Sequence, residues 1–136
     1  MEPLTLDEAG TMMQAARTKA EEMGIKVAIA VLDTRGDLIA LSRMDGALWR
    51  SVPISQGKAA AAAAWDTPSS ELAERWDQPV VRAFAMMEQG RLIPWPGGLP
   101  VRRDGVMVGA IGVSGAKAPE DEVVAQAGLD AFNAGS

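Results

Sequence analysis

At 136 residues, with a net charge of −5 and its basic residues dispersed, the chain has the size of one domain, expected to span 1–136, and carries no electrostatic footprint for nucleic acid or an acidic membrane surface. It contains neither cysteine nor histidine, which removes disulfides, thiol chemistry, the commonest zinc ligands and the commonest general base. The acidic opening Glu2-Pro3-Leu4-Thr5-Leu6-Asp7-Glu8 lacks the basic-then-apolar run of a secretory signal, and no apolar run approaches the roughly 20 residues that span a bilayer, so a cytoplasmic protein is expected.

Thr5 followed by Glu8 is a capping-box pattern, and Leu6, Ala9, Met13, Ala16, Ala20 and Met23 form one apolar stripe that Gly24 can end, predicting a helix over 6–23. Residues 26–32 and 38–43 flank the turn chemistry of Asp33-Thr34-Arg35-Gly36-Asp37 and predict a β-hairpin at one edge region of a sheet. Arg43 at the strand end is a candidate anion binder, and Asp45-Gly46 forms a second turn. From Ser51 to Trp65 the chain predicts a helix with Pro53 in its first turn and an unbroken alanine run at 59–64. Lys58 shares a side of that helix with Ile54 and Trp65, which sets an ammonium among apolar neighbours.

Beyond the loop Asp66-Thr67-Pro68, Ser69 or Ser70 can cap a short helix through Trp76. A second helical segment from Val80 is stopped by Gly90, although the whole stretch could instead be an irregular lid. Residues 91–94 predict a short strand, and Trp95-Pro96-Gly97-Gly98-Leu99-Pro100 a rigid loop suited to one wall of a small-molecule site. Two strands follow around Asp104-Gly105. The second, from Val106, is apolar on both faces and hence central, with Gly109 and Gly112 as the expected seat of the alanine helix. Pro119-Glu120-Asp121-Glu122 opens a last helix whose carboxylates suit the positive end of its dipole and oppose phosphate.

Gly112-Val113-Ser114-Gly115-Ala116 lacks the glycine spacing of a nucleophile elbow, and no histidine could activate Ser114. The glycines do not form a dinucleotide fingerprint, and a Walker signature is absent. Carboxylate, lysine, arginine and serine chemistry remains, with Glu120, Asp121, Lys58 and Arg43 as possible participants.

Ile29-Ala30-Val31-Leu32-Asp33 with Gly36, Arg43-Met44-Asp45-Gly46-Ala47, Lys58-Ala59, Gly97-Gly98-Leu99-Pro100-Val101, and Gly105 with Val108-Gly109-Ala110-Ile111-Gly112-Val113-Ser114-Gly115 before Glu120-Asp121-Glu122 occur in an order that resembles the GlcG/HbpS-like family. This family is also called the haem-binding or haem-degrading protein family. The resemblance implies an α/β (α+β) domain with an antiparallel, roughly five-stranded sheet packed by helices, and a homo-oligomer, dimeric or higher. It places a ligand pocket at Arg43, Asp45, Trp95, Gly97, Gly98 and Pro100, with Lys58 as the candidate catalytic residue. Haem attachment in some members uses a histidine, which this chain lacks; Met44 or another weak ligand would have to serve. No cofactor and no metal site are expected, since Glu71 and Glu74 lie outside any matching acidic motif.

Two readings follow. One is a binding protein for a small organic acid or carbonyl compound, held by arginine or lysine and by loop amides. The other is a cofactor-independent isomerase, lyase or hydrolase acting on a small carbonyl acid, with Lys58 or a carboxylate as base.

Overall fold

The computed structural model describes residues 2–135. Its elements are α1 (Leu6–Met23), β1 (Ala28–Leu32), β2 (Leu38–Arg43), α2 (Ser51–Trp65), α3 (Ser69–Glu74), α4 (Pro79–Met87), β3 (Gly98–Arg103), β4 (Val106–Ser114) and α5 (Ala118–Gly135). The strands form one antiparallel sheet in the order β2-β1-β4-β3. This is the expected α+β class with four strands instead of five. Residues 91–94 pair with no strand: Pro94 has no N–H to give, and the Ile93 N–H goes to the Gly57 carbonyl of α2. No helix of the described residues is long and apolar enough to cross a membrane.

The central strands are buried on both faces because helices cover both. On one side α1 and α5 pack together over Val27, Ile29, Val31, Leu99, Val101, Ile111 and Val113. On the other, the alanines of α2 meet Leu32 and Ala110, backed by Leu72, Val81, Ala85 and Leu92. A bulge in β4 opposite Val101/Arg102 breaks the strict alternation, so Val108 faces α1 and α5 together with Ile111.

Two cross-strand glycines seat α2. Gly98 and Gly112 are register partners. A Cβ on Gly112 would lie 2.0 Å from the Ser55 carbonyl oxygen and 2.8 Å from the Ala59 nitrogen; one on Gly98 would lie 2.1 Å from the Lys58 carbonyl oxygen. Helix backbone therefore rests directly on sheet backbone, and a run of alanines is what such an approach permits. Gly109, expected in this role, faces elsewhere: its open side is filled by the Leu32 carbonyl and the Leu4 side chain. On the far side of α2, Gly57 admits the Ile93 side chain, which holds the 91–94 segment against the helix.

Glu8 links three elements. It closes the capping box with Thr5 at the start of α1, and both its oxygens accept from Arg103 at the end of β3, at 2.8 and 2.9 Å. The Arg103 guanidinium also lies 5.3 Å from the centre of the Phe132 ring in α5. The Arg103 hydrogen bonds, followed by the Thr5 amide, hold the Glu8 carboxyl at about 2, below its ordinary 4.5.

This packing sets three expectations. Gly112→Ala costs about 2–3 kcal/mol or more in urea denaturation because the atoms that must yield are backbone. Gly10→Ala, in α1 with nothing within 4 Å of an added Cβ, stabilises by about 0.5–1 kcal/mol. Because the folded Glu8 carboxyl titrates below its unfolded value, its contribution is complete above about pH 4.5 and is lost as pH falls toward 2. Across denaturation curves from pH 2 to 6, Glu8→Gln flattens that acid slope.

Candidate functional site

Lys58 projects from α2 toward the end of β4. Its side chain is 3 % exposed, and its ammonium donates to the Val113 carbonyl and to Asp121 Oδ2, each at 3.0 Å. Asp121 lies in the first turn of α5, is 2 % exposed, and accepts the Ala116 N–H on its other oxygen at 3.0 Å. Burial pushes the Asp121 carboxyl above its ordinary range, against the opposing pull of Lys58 and the Ala116 amide. Gly97, at φ +132°, makes the room for this arrangement: a Cβ there would lie 2.6 Å from the Val113 oxygen and 2.9 Å from Lys58 Cδ. The lysine head is thus closed off from bulk water. It joins α2, β4 and α5 at one point.

Ser69 completes this cluster, and sequence reasoning had read it only as a possible helix cap. Pro68 occupies the N-cap position of α3 and makes no side-chain cap bond. The fully buried Ser69 hydroxyl instead donates to the Trp95 carbonyl at 2.6 Å and accepts the Gly98 N–H at 2.8 Å. The available signal was the Trp95–Gly98 loop itself, whose buried polar backbone requires partners. Trp95 is 59 % exposed, and Pro100 is buried within β3 opposite Ala110.

Arg43 and Asp45 lie elsewhere. Ala28 of β1 pairs with Arg43 on one side and Ser114 on the other, so Arg43 is two strands, or roughly 10 Å, from the Lys58 end of β4. They line a cleft of about 460 Å³ with Arg17, Glu21, Gly24, Ile25, Lys26, Ser42 and Met44, between the C-terminal end of α1 and the adjoining ends of β1 and β2. The structure therefore divides the expected pocket: Lys58, Gly97, Gly98 and the Trp95 backbone form a closed cluster, and Arg43 and Asp45 border an open cleft.

Lys26 is the cleft residue that sequence reasoning missed. The turn closed by Ala47 N–H to the Met44 carbonyl carries Gly46 at φ +87°, and the Lys26 chain occupies the space where a Cβ would stand, with Nζ 3.0 Å from that point. Among the described residues, Lys26 and Arg43 have no ion-pair partner, whereas Arg17 pairs with Glu21 at 3.7 Å. Two uncommitted cations beside Ile25 and Met44 can hold a carboxylate against an apolar body. A second cleft, about 580 Å³ and bordered by Trp76, Ala85, Met86, Leu92 and Pro94, has Arg82 as its charged residue. That guanidinium is already bound to the Trp76 carbonyl at 2.8 Å and to Asp77 at 3.0 Å, which leaves it poorly placed to orient a ligand.

Comparison with known proteins agrees with this architecture. The family model described as haem degrading protein HbpS-like matches residues 4–130. An uncharacterized 15.0 kDa protein from the dhaT-dhaS intergenic region of Citrobacter freundii is 34% identical over 132 residues, covering 96% of this chain and 92% of that protein. Klebsiella pneumoniae protein ORFY superposes with a TM-score of 0.91 at 32% identity, covering 98% of this chain and 93% of that one. The PduOC:heme complex superposes with a TM-score of 0.88 at 28% identity, covering 97% and 96%.

Removing one member of a buried ion pair strands the other. Lys58→Met is expected to destabilise by about 3–5 kcal/mol in chemical denaturation, and Lys58→Met combined with Asp121→Leu to recover a large part of that loss.

Proposed function

This chain belongs to the HbpS-like family of haem degrading proteins, and we propose that it works as a small-molecule-binding protein that takes a small organic acid in the cleft bordered by Arg43 and Lys26. The observation that carries this reading is the pair of uncommitted cations at one cleft mouth, with Ile25 and Met44 offering apolar surface beside them. A carboxylate there gains charge-assisted hydrogen bonds from a guanidinium and an ammonium. The volume, about 460 Å³, lies within the range of small-ligand clefts.

Lys58 enters as a positioning residue. Its ammonium donates to Val113 and Asp121 and is enclosed by Gly97, so a ligand has no path to it. Its role is to fix the end of β4, which is two strands from Arg43.

Haem, the ligand of the PduOC relative, fits the residues of this chain poorly. The sequence has no histidine, cysteine or tyrosine, the usual strong axial ligands. Met44 borders the cleft, but it is partly buried against the α1/α5 core cluster.

Isothermal titration at low ionic strength with glutarate, a five-carbon dicarboxylate, tests the proposal. Saturable binding is expected, weakened about tenfold by Arg43→Ala and similarly by Lys26→Ala. Binding indifferent to both substitutions overturns it. Titration with hemin is expected to give the spectrum of free hemin alone, and a shifted, sharpened Soret band that Met44→Leu abolishes would replace the acid reading with haem binding.

A further inference from the structure

The exposed Asp45 carboxylate stands at the same cleft, bonded to no other group among the described residues. Asp33, in the equivalent turn between β1 and β2, spends its carboxylate on its own loop and accepts the Arg35 and Asp37 amides at 2.9 and 3.0 Å. The Asp45 turn is closed by backbone alone, through Ala47 N–H to the Met44 carbonyl, and among the described residues the Asp45 carboxylate has neither a hydrogen bond nor an ion pair. It is not needed to shape the turn, yet it lines the cleft with Arg43 and Lys26.

The charge balance of the cleft points the same way. With Arg17 and Glu21 neutralising each other, Lys26 and Arg43 remain as cations and Asp45 as an anion. The C-terminal end of α1, at Gly24 and Ile25, adds the partial negative charge of its last carbonyls, roughly half an elementary charge. A plain carboxylate satisfies the cations but leaves Asp45 facing another anion. A keto acid adds an acceptor to a site that already holds an unpaired one. A hydroxyl or ammonium group beside the carboxylate gives the exposed Asp45 oxygens a donor to accept from in place of water.

We infer that the ligand of this cleft is an acid carrying a hydrogen-bond donor, a hydroxy acid or an amino acid, in which Arg43 and Lys26 hold the carboxylate and Asp45 accepts from the hydroxyl or ammonium. This rests on the acid-binding reading above and narrows it, since it sets aside the carbonyl compounds that the same cations would otherwise admit.

Four acids with one five-carbon skeleton test it, differing only at C2: glutarate, 2-oxoglutarate, 2-hydroxyglutarate and glutamate. In isothermal titration of the full chain at low ionic strength, 2-hydroxyglutarate or glutamate is expected to bind about tenfold more tightly than glutarate and 2-oxoglutarate. Which of the two leads distinguishes a hydroxy-acid from an amino-acid site. Asp45→Asn, whose amide can also donate, is expected to bring 2-oxoglutarate to within about twofold of the best ligand while leaving thermal unfolding unchanged. Equal affinity for all four overturns the inference and leaves the acid-binding reading standing. Binding of none of them overturns both. Discrimination that survives in Asp45→Asn overturns the assignment to Asp45.

Discussion

Burying the Lys58 ammonium and the Asp121 carboxylate takes two charges out of water, and their 3.0 Å contact, with the Val113 carbonyl and Ala116 amide filling further hydrogen-bonding positions, is what makes that burial tolerable. The rest of the chain is arranged to permit it. Gly97 leaves space for the lysine stem, Gly98 and Gly112 let the α2 backbone rest on the sheet at the right height, and the alanine run keeps the helix slim enough to do so. The first turn of α5 brings its own positive end to the carboxylate. Substituting any of these glycines moves helix, strand or lysine, because each gap is already filled by backbone or by Lys58.

That clamp and the open cleft lie at the same end of the sheet but do different work. At the clamp every polar group is bonded to another group of the protein, which suits a joint between α2, β4 and α5. At the cleft the exposed Lys26, Arg43 and Asp45 pair with no other group among the described residues, and such charge at a concave surface is available to a ligand. β1 connects the two, since Ala28 is paired with both Arg43 and Ser114. A rigid strand end on the clamp side therefore supports the strand that carries the cleft's arginine.

Much of the fold was legible in local chemistry. The Thr5/Glu8 capping box and Gly24 bound α1 at both ends, and the residues of α2 and β2 read as they fold, because caps, turns and unbroken apolar runs act over a few neighbours. Features decided by distant partners were less so. Ile93 has strand-like neighbours but gives its N–H to Gly57, which reduces the expected five strands to four. Gly109 and Gly112 look alike in sequence, and only the register with β3 shows that Gly98 shares the α2 seat with Gly112. At the site, Lys58 and Arg43 were both identifiable as cations in unusual surroundings. That one is closed off and the other open depends on Asp121, 63 residues from Lys58, and on Lys26, which follows an ordinary helix stop and becomes notable only because Gly46 leaves it room.

If the cleft binds the ligand and the Lys58 cluster is structural, a bound acid perturbs the first and leaves the second unchanged. An amide-resolved NMR titration of the full chain with 2-hydroxyglutarate tests it directly. Saturable shifts are expected, confined to residues 24–26 and 42–46, with Gly97, Gly98, Ala116 and Asp121 unmoved. Shifts centred on Gly97, Gly98 and Ala116, with 42–46 silent, would contradict it and return Lys58 to the binding site.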